Sequence, residues 1–347
     1  MTLKIGIVGA NGYGGVELIR WLSGHPQAEI EMLVSHATSG QSIQTLYPHL
    51  AGRCEMPLEA LDIDAAASRV ALMFFATPAG VSRTLVPQFL ERGIRCIDLS
   101  GDFRLKDPQT YEDWYGQKPA DPAFLERAVY GLSEINGENI RDADLIANPG
   151  CYPTAALLGL IPALQNGLIA PNSVIIDAKS GLSGAGRKTA LPHLFSEANE
   201  CVQAYKLGAH QHIPEMEQAL EAFTGQKVRI TFTPHIVPMT RGILATIYAD
   251  LQAEMTTEAV AALYREYYAS KPFVRICDPG HVPATKEVYG SNYCAIGLNA
   301  DPRTGRLTIV SVIDNLVKGA AGQAVQNMNL LFGWEESAGL SALPVYP

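Results

Sequence analysis

The chain begins with a β-rich run, Leu3–Val8, that leads directly into a glycine-rich turn and then into apolar residues at helical spacing. Gly9, Gly12 and Gly15 recur at every third position of this turn. A strand, such a turn and a helix N-terminus together form the arrangement that binds the pyrophosphate of a dinucleotide. Gly9 would permit the tight turn, Gly12 a close approach of phosphate, and Gly15 close packing of helix on strand. Because the spacing departs from GxGxxG, a turn without phosphate is the alternative; the residues expected at the nucleotide are Gly9, Asn11, Gly12, Tyr13, Gly14 and Gly15.

Two further β-rich runs, Val70–Ala76 and Arg95–Leu99, alternate with helical stretches. This alternation predicts an α/β fold with a Rossmann-type, doubly wound parallel sheet that binds ligands at the carboxyl ends of its strands. Thr77 and Pro78 follow the first run, and Arg104 lies just beyond the second. We expect Thr77 and Pro78 to contact the cofactor and Arg104 to reach an anion. A surface ion pair of Arg104 with a neighbouring aspartate is the alternative.

The residues after the second strand, Glu29–Val34, bear on the choice of cofactor. An acidic residue there would favour NAD by binding the ribose hydroxyls. This chain has Ser35, His36, Thr38 and Ser39 instead, which leaves room for a 2′-phosphate. We therefore expect NADP, with Ser35 and Ser39 near it, although a solvated loop explains these polar residues equally well.

The segment Asn148–Thr154 places Cys151 between a tight turn and the first turn of a helix. Pro153 is compatible with an early helical position, where its missing N–H has no cost. Unpaired N–H groups and the positive end of the helix dipole both favour a thiolate, the nucleophilic form of cysteine. The segment therefore indicates a site for covalent catalysis, with a buried structural thiol as the alternative.

A strand at Ser173–Ala178 leads into the loop Lys179–Lys188, which combines glycines, hydroxyls and three cations. This composition is typical of an anion site, and it makes Lys179 and Arg187 candidate substrate ligands. A flexible solvated loop has the same composition.

His210 and His212 stand two residues apart, just before a helix that we expect to begin near Pro214. Two apart on an extended segment, they would share one face. Three interpretations compete: acid/base partners of Cys151, a metal site, and ordinary polar packing. We expect no metal, because no further ligand stands at a suitable spacing.

The second half of the chain is rich in β-forming residues and predicts an α+β domain with an open mixed sheet. Its strands are expected at residues 173–178, 228–233, 243–251, 293–299 and 306–312. An open sheet face often packs on a second subunit, so we expect a homodimer or homotetramer. A helix from Asp314 to about Phe332 should cross back to the first domain. The expected domains are 1–150, completed by about 314–347, for NADP binding and 151–313 for catalysis and oligomerisation.

Bulk composition excludes several classes of protein. The net charge of −9 argues against nucleic-acid binding. No apolar run approaches the length of a membrane span, and because the N-terminal residues read directly as a core strand, we expect no secretion. The six cysteines include no CxxC pair, which argues against a disulfide framework and for a reducing cytoplasm.

Taken in order, the motifs of this chain resemble those of the N-acetyl-gamma-glutamyl-phosphate reductases, relatives of aspartate-semialdehyde dehydrogenase. The resemblance covers essentially the whole chain. It rests on segments 12–15, 47–50, 102–105, 148–154, 183–187, 210–215 and 314–320.

The resemblance implies NADPH-dependent reduction of an acyl phosphate to an aldehyde with release of inorganic phosphate. Cys151 would form a thioester, which hydride converts to a thiohemiacetal that collapses to N-acetylglutamate semialdehyde. His210 would be the acid/base partner. The implied substrate ligands are His212, Arg104, Lys179 and Arg187, and Ser183, Gly184 and Asn315 would lie near the nicotinamide.

The sequence departs from this family at two positions. The family often has arginine where His36 stands, which weakens the expected preference for NADP. It often has His-Arg-His where this chain has His210-Gln211-His212. The alternatives are a carrier-linked aminoadipyl-phosphate reductase of lysine biosynthesis and a catalytically silent dinucleotide-binding sensor. An aspartate-semialdehyde dehydrogenase is disfavoured by the motif around Cys151.

Overall fold

The computed structural model describes residues 2–347, which divide into two compact units. The first unit combines the chain up to Pro149 with Ala320–Ser341, and the second combines Gly150–Gly319 with Ala342–Pro347. Residues 314–319, expected with the first domain, thus belong to the second unit.

The strands of the described chain fall into two sheets, one in each unit. In the first unit they are β1 (Leu3–Val8), β2 (Ala28–Val34), β3 (Leu58–Glu59), β4 (Leu72–Phe75), β5 (Arg95–Asp98), β6 (Val129–Tyr130) and β7 (Leu145–Ala147). In the second unit they are β8 (Ile175–Ser180), β9 (Gln203–Ala204), β10 (Thr231–Ile236), β11 (Ile243–Asp250), β12 (Val274–Ile276), β13 (Cys294–Asp301) and β14 (Arg306–Ile313).

The α-helices that connect and cover these strands are numbered in chain order. They are α1 (Tyr13–Leu22), α2 (Ile43–Leu46), α3 (Ile63–Arg69), α4 (Ser82–Leu90), α5 (Pro108–Tyr115), α6 (Pro122–Arg127), α7 (Ser133–Arg141), α8 (Cys151–Gln165), α9 (Phe195–Ala198), α10 (His212–Thr224), α11 (Thr257–Tyr267) and α12 (Gly322–Leu331). Within residues 2–347, no helix has both the length and the apolar composition needed to cross a bilayer.

The first sheet is parallel throughout and has the strand order β3-β2-β1-β4-β5-β7-β6. The order reverses direction between β1 and β4, so the carboxyl ends of these two strands flank the position where a doubly wound sheet binds its ligand. Helix α12 packs in this unit against α7 and α1. The predicted α/β fold is confirmed.

The second sheet is mixed, with the order β12-β13-β14-β11-β8-β10-β9. Helix α8 packs on β11 and β14. A side chain at Gly159 of α8 would lie 3.2 Å from both Ile247 and Ile309, so the helix lies directly on the sheet. Residues of β11 alternate between buried and half-buried, which leaves the opposite sheet face only partly covered.

A buried carboxylate organises the segments that follow β4 and β5. Asp102 is fully buried and accepts hydrogen bonds from the amides of Gly80 (2.7 Å) and Arg83 (3.0 Å) and from the hydroxyl of Tyr111 (2.7 Å). Burying a carboxylate is costly unless its oxygens accept such bonds. Asp102 therefore joins the start of α4 to α5, beside the carboxyl end of the parallel sheet.

Tyr111→Phe tests this arrangement. Removing the hydroxyl leaves a lone pair of Asp102 unsatisfied, and we expect the free energy of unfolding to fall by about 1–3 kcal/mol. Denaturant titration measures the change, with Tyr346→Phe at an exposed position as the matched control. Equal stability of the two variants would contradict the role given to this bond.

Candidate active site

Cys151 is the first residue of α8, a helix of 15 residues, and its side chain is half-exposed. Gly150 is the N-cap in an extended conformation and supplies no side chain to bond the first-turn N–H groups. N–H groups and the positive end of a helix dipole at such a position favour a thiolate. The remainder of α8 up to Leu164 is buried, which fixes the helix in place.

The start of α8 is connected to the start of α10 by Glu215. This carboxylate is fully buried, and its Oε1 accepts a hydrogen bond of 2.8 Å from the Gly150 amide. Its Oε2 lies 3.9 Å from Nε2 of His212. Glu215 thereby places the cysteine and the histidine pair in one cluster. The local sequence contains a signal for this role that was missed: a carboxylate three residues after His212 lies on the same side of a helical turn.

His210 lies in a pocket of aromatic rings and is almost fully buried. The centroids of Tyr152, Tyr205 and Phe232 lie 5.4 to 5.7 Å from its ring, and that of His212 lies 4.7 Å away. Since Tyr152 directly follows Cys151, the structure brings His210 to the N-terminus of the nucleophile's helix. The two tyrosines were not identified from the sequence.

The prediction that the two histidines lie on an extended segment is wrong. His210 lies in a turn and His212 is the first residue of α10, because the His212 amide donates to Nδ1 of His210 at 3.1 Å. A side-chain bond of this kind replaces extended pairing with a turn.

The hydrogen bonds around His210 define which ring nitrogen is protonated. The Tyr152 hydroxyl donates to the carbonyl of His235 (3.1 Å), and the Tyr205 hydroxyl donates to Tyr152 (3.3 Å). The Tyr205 oxygen is therefore the acceptor in its 3.5 Å contact with Nε2 of His210. Nδ1 accepts from the His212 amide, so the neutral ring bears its proton on Nε2.

Electrostatics agree with this neutral form. The pKa of His210 is lowered to about 2, mainly by burial and also by the charges of His212 and Lys206, while the charge of Glu215 opposes the shift. Burial also raises the pKa of Tyr205 to about 12, a rise to which the charge of Cys151 contributes. The cluster therefore contains a neutral imidazole beside protonated phenols at neutral pH.

Ser183, Gly184 and Asn315, the residues expected near the nicotinamide, lie close together. The Asn315 amide donates to Ser183 Oγ (3.0 Å), and its oxygen accepts from the Gly242 amide (2.7 Å). A side chain at Gly184 would lie 3.0 Å from Ser180 Oγ and 3.6 Å from the Asn315 amide. These contacts fix the backbone of the loop that contains Ser183 and Gly184.

The four candidate substrate ligands lie in different surroundings. His212 belongs to the histidine cluster, and Arg187 is exposed in the loop after Ser183. Lys179 lies within β8, where alternation puts it on the sheet face opposite Ala178 and Ser180, and it pairs with Asp177 at 3.0 Å. Lys179 is therefore not brought to the cysteine.

In the first unit, the guanidinium of Arg104 is buried and donates to the carbonyls of Leu99 and Asn148, both at 2.8 Å. The bond to Asn148 fixes the backbone three residues before Cys151. Arg104 thus contacts the main chain that leads to the nucleophile.

The glycine turn after β1 fits a dinucleotide phosphate. Gly9 has φ +84°, and a side chain there would lie 2.4 Å from the Ala76 carbonyl. A side chain at Gly15 would lie 2.4 Å from the Gly9 carbonyl. Gly12, the N-cap of α1, supplies no side-chain cap, so N–H groups of Tyr13 and Gly14 are positioned as an anion site requires.

The other residues expected at the nucleotide surround this turn. Asn11 contacts Thr38 (3.4 Å), and Ser35 bonds the same hydroxyl at 2.8 Å. Thr77 bonds Ser82 at 2.8 Å. Pro78 and Ser39 are exposed. Within residues 2–347, no group of three metal-binding side chains is present.

Comparison with known proteins identifies the family. Residues 4–143 match the model "Semialdehyde dehydrogenase, NAD binding domain", and residues 151–315 match "Semialdehyde dehydrogenase, dimerisation domain". Aspartate semialdehyde dehydrogenase II from Vibrio cholerae, complexed with ASA, has the same fold, with a TM-score of 0.73 over 96% of this chain and 99% of that one at 16% identity. The enzyme from Candida albicans with NADP gives a TM-score of 0.68 over 96% and 99% at 15% identity.

Full-length relatives are much closer in sequence. N-acetyl-gamma-glutamyl-phosphate reductase of Geobacillus sp. is 53% identical over 99% of this chain and all of the relative. The protein of that name from Bacillus subtilis is 51% identical over the same shares. With this identity over its whole length, the chain belongs to the N-acetyl-gamma-glutamyl-phosphate reductase family.

Proposed function

We propose that this protein catalyses the NADPH-dependent reduction of N-acetyl-gamma-glutamyl phosphate to N-acetylglutamate semialdehyde and inorganic phosphate. The observation that carries the proposal is the half-exposed Cys151 at the uncapped N-terminus of α8, where the next residue, Tyr152, packs against the buried neutral His210. The names of the relatives support this substrate over a carrier-linked aminoadipyl phosphate and over a silent sensor.

Cys151 is the proposed nucleophile. Its thiolate forms a bond to the acyl carbon, and the bond from that carbon to the phosphate oxygen breaks, so that phosphate leaves and a thioester remains on sulfur. A thioester accepts hydride more readily than a carboxylate ester and still releases thiolate.

NADPH, when bound, supplies the hydride that takes the acyl group to the aldehyde level. The proposed ligands of its pyrophosphate are the N–H groups at Gly12–Gly14. Ser35, Thr38 and Ser39 follow β2 where a 2′-phosphate would bind, and the absence of a carboxylate there supports NADP. Thr77, Pro78, Ser183, Gly184 and Asn315 complete the proposed cofactor contacts.

His210 is proposed to act in its neutral form. Its Nε2–H can donate a hydrogen bond to the carbonyl oxygen on which negative charge develops, as an oxyanion donor does. Nδ1 is occupied by the His212 amide, so it is not placed to abstract the thiol proton. The helix N-terminus, and not His210, then favours the thiolate.

His212 and Arg187 are the proposed ligands of the substrate's anionic groups. For Arg104 and Lys179 we propose structural roles, because the first bonds main-chain carbonyls and the second pairs with Asp177.

We also propose that the protein is a homodimer or homotetramer located in the cytoplasm. The match of residues 151–315 to a dimerisation domain and the partly covered face of the second sheet support self-association. The six cysteines form no disulfide, which fits a reducing compartment.

The reverse reaction tests the proposed function directly. Purified protein is given N-acetylglutamate semialdehyde, phosphate and NADP, and absorbance of the reduced nicotinamide is followed. Phosphate-dependent formation of NADPH is expected. Activity with aspartate semialdehyde but not with the N-acetylglutamyl substrate would contradict the proposal, as would no activity with either.

Cys151→Ser should lower kcat by at least about 10³-fold, because a hydroxyl at this position is not ionised at neutral pH. NADP affinity, measured by calorimetry, should be unchanged. The control is Cys201→Ser, since Cys201 is exposed, and it should retain turnover. Retained turnover in Cys151→Ser would remove the thioester from the mechanism.

The burial of neutral His210 predicts a dependence of stability on pH. Its pKa is about 2 in the folded protein and 6.5 when unfolded, so only the unfolded chain gains this proton as the pH falls below 6.5. The contribution of His210 to the free energy of unfolding is therefore fully present above pH 6.5 and is lost as the pH falls below it. The loss from this group is about 1 kcal/mol between pH 7 and 5.5.

Denaturant titrations of wild type and His210→Asn at both pH values measure this contribution. The variant should lose less stability on acidification than wild type. His36→Asn, at an exposed histidine, should behave as wild type. Parallel losses in wild type and His210→Asn would show that His210 is protonated in the folded protein.

A further inference from the structure

Gly319 packs against the proposed nucleophile at a distance that leaves no room for a side chain. A Cβ at this position would lie 2.8 Å from Cβ of Cys151, 3.2 Å from its Cα and 3.2 Å from the tip of Ile313. A separation below 3.0 Å from a Cβ forces one of the two segments to move. The backbone of Gly319 does not have a positive φ, so the constraint is one of space and not of torsion.

The segment that bears Gly319 is a π turn, Val317–Ala321. The Gly319 amide donates to the Asp314 carbonyl at 3.0 Å, five residues earlier. Such turns are uncommon, and they occur frequently at functional sites. This π turn places the backbone of Gly319 against Cys151, the first residue of α8.

Buried hydrogen bonds prevent the turn from moving away. The carboxylate of Asp314 is fully buried and accepts from the amides of Leu316 (2.9 Å), Val317 (3.2 Å) and Gly290 (2.8 Å). The neighbouring Asn315 accepts from the Gly242 amide.

The start of α8 is anchored on its own side. The Gly150 amide donates to Glu215, and the Thr154 amide and hydroxyl donate to the Gly150 carbonyl at 2.9 and 3.0 Å. Two fixed segments thus meet at Gly319 and Cys151, and any atom added between them displaces the cysteine.

We infer that Gly319 is a positioning residue for Cys151: the hydrogen in place of a side chain sets where the thiol stands at the start of α8. The inference rests on the proposed role of Cys151 as nucleophile. A displacement of about 1 Å at a reacting atom is enough to lower a rate by about 10²-fold.

Gly319→Ala is the direct test. We expect kcat to fall by about 10- to 100-fold, with KM nearly unchanged, because the methyl group moves the nucleophile and touches no proposed substrate ligand. The rate at which iodoacetamide alkylates Cys151, followed across pH, should also differ from wild type. This second readout does not require turnover.

Gly159→Ala is the matched control. It adds the same methyl group, but within α8, the helix that begins at Cys151, where the group lies 3.2 Å from Ile247 and Ile309 and remote from the thiol. We expect it to lower the melting temperature but to retain the kcat and alkylation profile of wild type. Wild-type kcat and alkylation in Gly319→Ala, or equal losses in the two variants, would overturn the inference.

A thermal double-mutant cycle covers the case in which Gly319→Ala folds poorly. Cys151→Gly removes the Cβ that the new methyl group would strike, so the loss of melting temperature caused by Gly319→Ala should be smaller in that background. Equal losses in both backgrounds would refute the contact.

Cys151→Ala separates this inference from the proposed function. If it keeps turnover, the nucleophile has been assigned wrongly. If it is inactive while Gly319→Ala is fully active, the proposed function stands and the positioning role fails.

Discussion

The hydrogen bond from the Gly150 amide to the buried carboxylate of Glu215 determines how the second unit presents its reactive groups. Glu215 belongs to the first turn of α10, and Gly150 is the N-cap of α8. One carboxylate thus satisfies a main-chain donor beside the cysteine and lies next to His212. Without the donor from Gly150, the buried carboxylate would lose a hydrogen bond that offsets its desolvation, which is strongly unfavourable.

The site around this hydrogen bond must stabilise a charged thiolate and also keep an imidazole neutral. A thiolate needs N–H groups and a positive dipole, and α8 supplies both at Cys151. An imidazole whose Nδ1 accepts a hydrogen bond must stay neutral, and burial among aromatic rings keeps His210 in that form. The backbone amide of His212 then selects the tautomer. The fold thus brings a charge-stabilising environment at Cys151 and a charge-excluding environment at His210 into one cluster.

Close approach of backbone to backbone is the second requirement of the structure. Gly15 allows α1 to lie against the turn after β1, and Gly319 allows the π turn to lie against Cys151. In both places a methyl group would lie closer than 3.0 Å to its neighbour. The fold at Gly15 and the active site at Gly319 therefore both depend on the absence of a side chain.

The sequence was sufficient where the signal was local. The strand, glycine turn and helix at the N-terminus, and the helix that begins at Cys151, each carry their own start signals, and both are present. Signals that depend on partners distant in sequence were missed. Strands such as β6 and β9 are two residues long and exist only through pairing with β7 and β10.

The same limit explains the placement of Lys179. The expected strand ended at residue 178, whereas β8 continues to Ser180 because its last residue pairs with Ile243 of β11. Lys179 therefore lies in the strand and faces away from α8, instead of following in the loop. The roles of Tyr205 and Gly319 likewise appear only when distant segments are brought together.

The measurement that tests the central claim most directly is the mass of the protein after it is mixed with N-acetyl-gamma-glutamyl phosphate in the absence of NADPH. The account predicts one N-acetylglutamyl group per chain, recovered on the peptide that contains Cys151 and removed by hydroxylamine, as a thioester would be. An adduct on another residue, or turnover without any adduct, would contradict it.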